Sequence, residues 1–278
     1  MRTFHDPSYS NTDAVNYALV GPVDNRIHEI RTTQFPFNTV CHLGRDFGNN
    51  RWAGCSGILI GPRLVLTAGH CLFSHKRGGP PKRVRIMPGR ADRDAAPFGS
   101  VISSEYYVPK KYVMARSAAE RRNYDYGFII LPRNFQGIKR FFGLRSLNAD
   151  ELTNSPVLRR ITIAGYPGDR PLGTMWRHTE KIKKITPHRL LYTVDTCPGH
   201  SGSPIWQMHS KSKKGHVVGV HTSGILDEQG RSYGCNKGAV LAPPGLLNSG
   251  VRITSEVIVN ILNPQRRSGT KAAMQRLP

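Results

Sequence analysis

Short runs of apolar and β-branched residues recur along the chain, and turns rich in Gly, Pro and Asn separate them. Such runs are typical of β-strands, because the turn residues supply the backbone conformations that reverse a chain. Strands of this length without a long amphipathic helix predict an all-β fold of the sandwich or barrel type. The predicted strands cover residues 37–43, 56–68, 84–87, 101–108, 127–131, 160–166, 175–184, 190–194, 204–208 and 217–221.

One segment near the end has a helical pattern. Thr254 or Ser255 can cap a helix over residues 256–262, and Asn263-Pro264 ends it. The residues that follow are polar and basic, which predicts a disordered tail over 264–278. No apolar run approaches the roughly 20 residues needed to cross a bilayer, so no transmembrane segment is expected.

The segment Asp195-Thr196-Cys197-Pro198-Gly199-His200-Ser201-Gly202-Ser203-Pro204 places a serine on a tight, glycine-rich loop. A serine hydroxyl attacks a carbonyl when a base takes its proton and preorganised N–H donors meet the developing oxyanion. The backbone N–H groups of Gly199 and Ser201 could be those donors. Turn chemistry favours the same residues, so this loop alone is equally consistent with an ordinary turn.

Two other segments offer partners for Ser201. His70 ends two short β-rich runs joined by a Gly-Pro turn, and Asp125 lies at the start of the apolar run 127–131. A strand-end histidine suits a general base, and an aspartate can orient its imidazole. The order His70, Asp125, Ser201 matches chymotrypsin-like enzymes and differs from the Ser, Asp, His order of α/β-hydrolases.

With these residues in place, the chain resembles the bacterial glutamyl endopeptidases, a branch of the chymotrypsin-like serine proteases. The resemblance extends from about residue 20 to residue 262. The segments that carry it are Ile60-Gly61-Pro62, Thr67-Ala68-Gly69-His70-Cys71, Tyr124-Asp125-Tyr126-Gly127, Gly165-Tyr166-Pro167-Gly168-Asp169, Ser201-Gly202-Ser203-Pro204 and Gly219-Val220-His221-Thr222.

The resemblance implies two six-stranded antiparallel β-barrels of the chymotrypsin-like type with a short C-terminal helix. The expected units are a propeptide (1–18), an N-terminal barrel (19–148), a C-terminal barrel with the helix (149–263) and the basic tail (264–278). It also implies a serine endopeptidase with His70, Asp125 and Ser201 as the catalytic residues. Gly199 and Ser201 would form the oxyanion hole, and no metal or organic cofactor is expected.

The sequence gives conflicting indications of the substrate specificity of such an enzyme. Thr196 and His221 match the positions at which glutamyl endopeptidases hold a substrate carboxylate, which implies cleavage after Glu or Asp. Asp195 lies six residues before Ser201, where trypsin-like enzymes carry the acid that selects Arg or Lys. Cleavage after Arg or Lys is therefore the alternative. His200 replaces the amide side chain usual in the family, and we expect a structural role for it.

Five cysteines allow two disulfides and leave one thiol. The resemblance implies the pairs Cys55–Cys71 and Cys197–Cys235, with Cys41 unpaired. Disulfides favour an oxidising compartment. An extracellular location is expected from the family, although no signal peptide is visible in the sequence.

The N-terminal stretch is similar to the mature start of glutamyl endopeptidases from Leu19 to Arg26. Cleavage near Ala18 would then release an α-amine close to the pocket, so a zymogen is expected.

The formal net charge is +22, from 40 basic and 18 acidic residues. The basic residues are scattered in pairs, which indicates a general positive field that attracts acidic substrates and associates weakly with polyanions. The sequence has no zinc finger, RNA-recognition signature or helix-turn-helix pattern, so specific nucleic-acid binding is not expected. A catalytically inactive protease fold and a polyanion-binding basic protein remain the rival functions. We expect a monomer that acts on proteins or peptides.

Overall fold

The computed structural model describes residues 23–154, 160–208, 215–224, 247–265, 267–268 and 271–277. These residues form the strands β1 (Ile27–Glu29), β2 (Val40–Asp46), β3 (Trp52–Gly61), β4 (Leu64–Thr67), β5 (Arg83–Pro88), β6 (Val101–Ser103), β7 (Tyr106–Pro109), β8 (Gly127–Ile130), β9 (Gly143–Leu144), β10 (Arg160–Gly165), β11 (Met175–Ile185), β12 (Arg189–Tyr192), β13 (Pro204–Met208), β14 (Gly215–Ser223), β15 (Asn248–Arg252), β16 (Arg267–Ser268), β17 (Lys271–Ala272) and β18 (Met274–Leu277). The helices are α1 (Lys110–Met114), α2 (Ala118–Asn123), α3 (Ala149–Asn154) and α4 (Ser255–Leu262).

The strands form two large sheets. The first is curled and has the order β18-β7-β8-β4-β3-β2-β5-β6, with antiparallel pairs throughout. In the second, the order β11-β10-β13-β14-β15-β12 closes on itself because β12 also pairs with β11. The all-β, chymotrypsin-like architecture predicted from the sequence is confirmed, with one closed six-stranded barrel and one curled sheet.

Apolar side chains fill both units. The closed barrel has a compact core from strands β10 to β14, in which Ile161, Ile163, Tyr192 and Ile205 are fully or almost fully buried. A larger cluster fills the first sheet and continues across to the second, where it includes Trp206. The candidate active site lies where this cluster joins the two units.

The C-terminal helix is also confirmed. The Thr254 hydroxyl accepts a hydrogen bond from the Val257 N–H, which caps the first turn of α4. Helices α1 to α3 were not predicted, because segments of five or six residues are too short to show a helical period.

The prediction of a disordered tail is wrong for its last residues. Strand β18 pairs with β7, and Met274 and Leu277 are buried. The polar and basic composition of this segment does not indicate a strand. The strand forms because its backbone pairs with β7, which is distant in the sequence. Residues 1–18, predicted as a propeptide, lie outside the described residues.

The two units exchange strands. β1 pairs with β11 and β9 pairs with β14, although both short strands precede residue 148. β18 returns from the end of the chain to the first sheet. The chain therefore does not divide at residue 148 into two separate structures.

The cysteines agree with the implied pairing as far as the structure describes them. Cys55 and Cys71 form a disulfide, and Cys41 is a buried free thiol. Cys197 is also disulfide-bonded. Its expected partner, Cys235, lies outside the described residues.

Met274→Ala tests the contribution of β18. Loss of this buried side chain should lower the free energy of unfolding by about 2 kcal/mol, measured by urea denaturation. Arg276→Ala on the same strand removes an exposed side chain and should change it by less than about 0.5 kcal/mol. Equal, small effects of both substitutions would show that β18 does not pack as described.

Candidate active site

The pairing of β4 with β8 brings His70 and Asp125 to one end of the first sheet. The strands are antiparallel and align Thr67 with Gly127. His70 lies in the 3₁₀ turn three residues after Thr67, and Asp125 lies two residues before Gly127. In an antiparallel pair, the residues that follow one strand and those that precede the other lie at the same end of the sheet.

Asp125 holds His70 through two hydrogen bonds. Its Oδ1 accepts from the His70 backbone N–H at 2.8 Å, and its Oδ2 lies 2.8 Å from His70 Nδ1. The Ser201 Oγ lies 2.6 Å from His70 Nε2. When Nδ1 donates to the carboxylate, Nε2 carries the lone pair and can accept the serine proton.

The loop before β13 places Ser201 next to His70, at this end of the sheet. Gly199 has a φ of 100°, and a Cβ there would lie 2.3 Å from the Tyr166 carbonyl oxygen. Gly202 has a φ of 81°, and its Cβ would lie 2.0 Å from Thr67 Oγ1. Only glycine fits either position, because the backbone is left-handed and the neighbouring atoms leave no space.

Two peptide groups of this loop are held in place by the hydrogen bonds that their carbonyl oxygens accept. Pro198 O accepts a hydrogen bond from the Gly168 N–H at 2.6 Å, and His200 O accepts from the Ser203 N–H at 2.8 Å. In a planar trans peptide the N–H points opposite to the preceding carbonyl. The N–H groups of Gly199 and Ser201 are therefore oriented before any substrate binds.

Ser56, on β3, was not identified from the sequence. Its N–H donates to Ser201 O at 2.7 Å, and its hydroxyl donates to Gly199 O at 2.8 Å. The same hydroxyl accepts from the Tyr166 N–H at 2.9 Å. A serine inside a strand carries no local signal for such a role, since its partners lie more than a hundred residues away in the sequence.

His221 lies on β14 beside the loop that carries Ser201. Its carbonyl accepts from the Gly202 N–H at 2.8 Å, and its N–H donates to Ser203 O at 2.9 Å. Its Nδ1 lies 2.6 Å from the Tyr192 hydroxyl. Burial, with a smaller contribution from the Arg189 cation, holds the pKa of His221 well below its usual value, so the imidazole is neutral.

Thr196 and Asp195 precede the loop, and both are buried. The Asp195 carboxylate accepts a hydrogen bond from the Asn25 N–H at 2.9 Å, and its own N–H donates to His178 Nδ1 at 2.8 Å. The N-terminal segment is fastened nearby, because Arg26 donates two hydrogen bonds to Asp169, at 2.9 Å and 2.6 Å. Asp195 therefore holds the N-terminal segment against the second barrel.

His200 is buried, as expected for a structural residue. Its Nδ1 accepts from the Cys197 N–H at 3.0 Å, and its ring also bonds to the Trp176 backbone. Burial, with a smaller contribution from Arg26, lowers the pKa of His200 to about 3. The ring therefore stays neutral and braces the loop.

Arg189, on β12, is a second residue that the sequence did not indicate. Its Nη2 donates to Ser249 Oγ at 2.5 Å and to Thr222 Oγ1 at 3.4 Å. Burial lowers the pKa of Arg189 to about 10, although the Asp125 carboxylate opposes the shift. It therefore remains a cation at neutral pH, beside both Asp125 and the strand of His221.

Among the described residues, the group of side chains that could bind a metal ion is Cys55, His70 and Cys71. Both sulfurs are in a disulfide and cannot act as thiolate ligands. This set does not fit a resident metal. In the described part of the chain, no helix has the length and apolar character needed to span a membrane.

The structure has the fold of known proteases. A glutamyl endopeptidase solved in complex with MPD superposes with a TM-score of 0.67 and 24% identity, over 88% of this chain and 98% of the other. The protease Anisep from Arthrobacter nicotinovorans gives a TM-score of 0.62 and 18% identity, over 86% and 98%. At these identities the likeness concerns the fold alone.

Sequence comparison shows the family. A glutamyl endopeptidase of Bacillus licheniformis is 32% identical over 86% of this chain and 67% of its own length. A Bacillus subtilis protein named extracellular metalloprotease is 30% identical over 88% and 68%. The trypsin family profile matches residues 25–238. The chain therefore belongs to the trypsin family and is a serine endopeptidase.

Proposed function

We propose that this endopeptidase cleaves peptide bonds after Glu, and after Asp to a lesser extent, by acyl transfer at Ser201. The observation that carries the proposal is the continuous chain of hydrogen bonds from Asp125 through His70 to Ser201, with distances of 2.8 Å and 2.6 Å.

In the first step His70 Nε2 takes the Ser201 proton while Oγ attacks the scissile carbonyl carbon. Asp125 holds the imidazole tautomer and stabilises the imidazolium. His70 then donates its proton to the leaving amine, and an acyl-enzyme remains on Ser201. Water repeats the sequence, which releases the acid product and restores the serine.

The N–H groups of Gly199 and Ser201 are the proposed oxyanion donors. The orientation of their peptide groups supports this assignment, since the Pro198 and His200 carbonyls are held by the Gly168 and Ser203 N–H groups. Donors fixed in advance need no reorganisation during the reaction, and loss of one typically costs about a hundredfold to a thousandfold in rate.

Thr196 and His221 are the proposed ligands of the substrate carboxylate. If the Tyr192 hydroxyl donates to His221 Nδ1, the neutral ring carries its proton on Nε2 and offers it as a donor. The Thr196 hydroxyl is the second donor. Two relatives of this chain that are named glutamyl endopeptidases, from Bacillus licheniformis and Staphylococcus epidermidis, support acidic specificity.

The environment of Asp195 argues against cleavage after Arg or Lys. Its carboxylate is buried and accepts a hydrogen bond from the backbone of Asn25. An acid used to bind a substrate cation would instead need that oxygen to be available in the pocket.

We also propose an extracellular site of action. The Cys55–Cys71 disulfide favours an oxidising compartment, and the Bacillus subtilis relative is named as extracellular.

Ser201→Ala tests the nucleophile. The substitution should lower kcat by about a millionfold and abolish labelling by a fluorophosphonate probe, while the circular dichroism spectrum stays unchanged. Ser203→Ala is the matched control, because it removes a hydroxyl from the same loop and should retain labelling. Persistent labelling of Ser201→Ala would refute the assignment.

A peptide library with every residue at the cleavage position tests the pocket. Cleavage should occur mainly after Glu. Thr196→Val should lower kcat/KM for Glu peptides by about tenfold to a hundredfold, because one hydrogen bond to a carboxylate is lost. The same substitution should change cleavage after Gln much less. Predominant cleavage after Arg or Lys would assign the pocket to Asp195.

The ratio of kcat/KM for Glu and Gln peptides should stay constant from about pH 6 to pH 8. His221 is neutral throughout because its pKa is held well below its usual value, and the substrate carboxylate ionises at about pH 4.3. The ratio should decline only as the pH falls toward that value. A step near pH 6.5 that disappears in His221→Gln would show that a charged His221 binds the substrate.

A further inference from the structure

We infer that a basic surface on the first sheet binds acidic residues on the leaving-group side of the substrate. This inference rests on the proposed function, which it extends beyond the cleavage position. The surface, called here the basic rim, consists of six exposed or half-exposed residues: Arg51, Lys76, Arg77, Lys82, Arg83 and Arg85.

The buried Arg45 connects the basic rim to the active site. Arg45 Nη1 donates a hydrogen bond to the His70 carbonyl oxygen at 3.2 Å. Arg45 also donates to Ala53 O at 3.4 Å and to Gly54 O at 3.5 Å, close to the Cys55–Cys71 disulfide. Arg45 thus contacts the residue that transfers the proton, and it lies on the same sheet as the exposed cations of the rim.

Aromatic rings support the side chains of the rim. The guanidinium groups of Arg45 and Arg77 lie 5.9 Å and 4.7 Å from the centre of the Phe47 ring. Those of Arg83 and Arg85 lie 5.1 Å and 4.3 Å from the Trp52 ring. Such contacts hold long side chains in place, which reduces the entropy lost when a ligand binds.

The rim is strongly positive. Within residues 45–52 and 74–85 the sequence has one acidic residue, Asp46. Only 3% of its side chain is exposed, and its oxygens accept hydrogen bonds from Arg83 and from the Gly48 and Asn50 N–H groups. This carboxylate is occupied within the protein, so the exposed part of the rim attracts anions.

The position of the rim indicates which half of the substrate it faces. The proposed carboxylate pocket, with His221, belongs to β14 of the second barrel, and Arg189 contacts Thr222 on the same strand. Arg45 lies on β2, in the first sheet, where it pairs with Ala53 beside the disulfide. The acyl half occupies the pocket side, so the amine that His70 releases departs toward the rim.

Two matched peptides test the inference. They share the acyl half and the Glu at the cleavage position, and their leaving-group halves are Ser-Asp-Asp-Asp and Ser-Asn-Asn-Asn. Only cleavage after the shared Glu is counted, by mass spectrometry of the products. The native enzyme should show a kcat/KM about threefold to tenfold higher for the acidic peptide, as expected for a few solvent-exposed ion pairs. The advantage should decrease as the salt concentration rises.

Two triple variants separate a local site from the general field. The substitutions Arg51→Ser, Arg77→Ser and Lys82→Ser remove three charges from the rim. The substitutions Lys181→Ser, Lys183→Ser and Lys184→Ser remove three charges from β11 on the second barrel. The advantage of the acidic peptide should disappear in the first variant and persist in the second. Persistence in both, or an equal loss in both, would overturn the inference.

A binding measurement keeps the inference independent of the proposed cleavage after Glu. In a Ser201→Ala background, a fluorescent peptide with the acidic leaving-group sequence should bind several-fold more weakly to the rim variant than to the β11 variant, by fluorescence anisotropy. Equal binding would overturn the inference even if both substrates are cleaved after Glu. Absence of cleavage after Glu, with this binding difference retained, would refute only the proposed function.

Double-stranded DNA is the competing ligand for such a surface. The rim variant could lose affinity for a short duplex and still show the higher kcat/KM for the acidic peptide. In that case the rim binds polyanions and not the substrate, and the inference is overturned.

Discussion

The hydrogen bonds of Ser56 are the constraint on which the rest of the site depends. Ser56 belongs to the first sheet, yet its N–H and hydroxyl hold two carbonyls of the Ser201 loop, which precedes a strand of the second barrel. The hydroxyl also accepts from the Tyr166 N–H, so three separate segments meet at one buried side chain. Buried polar groups must be satisfied, and this arrangement satisfies them only when the two units are docked correctly. His70 and Ser201 therefore meet as a consequence of docking.

Charge within the site is controlled largely by burial. His221 and His200 lose their protons because their surroundings exclude water, and both act as neutral hydrogen-bonding groups beside the loop. Arg189 keeps its charge and stands near Asp125. Asp195, which by position could oppose an acidic substrate, is engaged with the N-terminal segment. Together these environments place neutral or positive groups around the proposed pocket, which supports the proposal that it binds a negatively charged side chain.

Much of the fold could be predicted because its elements have strong local patterns. The alternation and turns that predict strands around His70, Asp125 and Ser201 correspond to β4, β8 and β13, and the cap of α4 is Thr254 as expected. The short helices α1 to α3 and the terminal strand β18 were missed. Their stability comes from neighbours distant in sequence, so the local residues carry little signal. The exchange of β1, β9 and β18 between units was missed for the same reason.

The sequence by itself determined the residue types of the site and their order along the chain, since His70, Asp125, Ser201 and the glycines around the serine carry recognisable motifs. It left the role of Asp195 open, because a position relative to Ser201 does not say where a carboxylate points. The tertiary structure shows that this carboxylate accepts a hydrogen bond from the Asn25 N–H. It also revealed Ser56, Arg189 and the basic rim, whose partners are separated by long stretches of chain. Hydrogen bonds and cation–π contacts depend on distance in space, and only folding determines that distance.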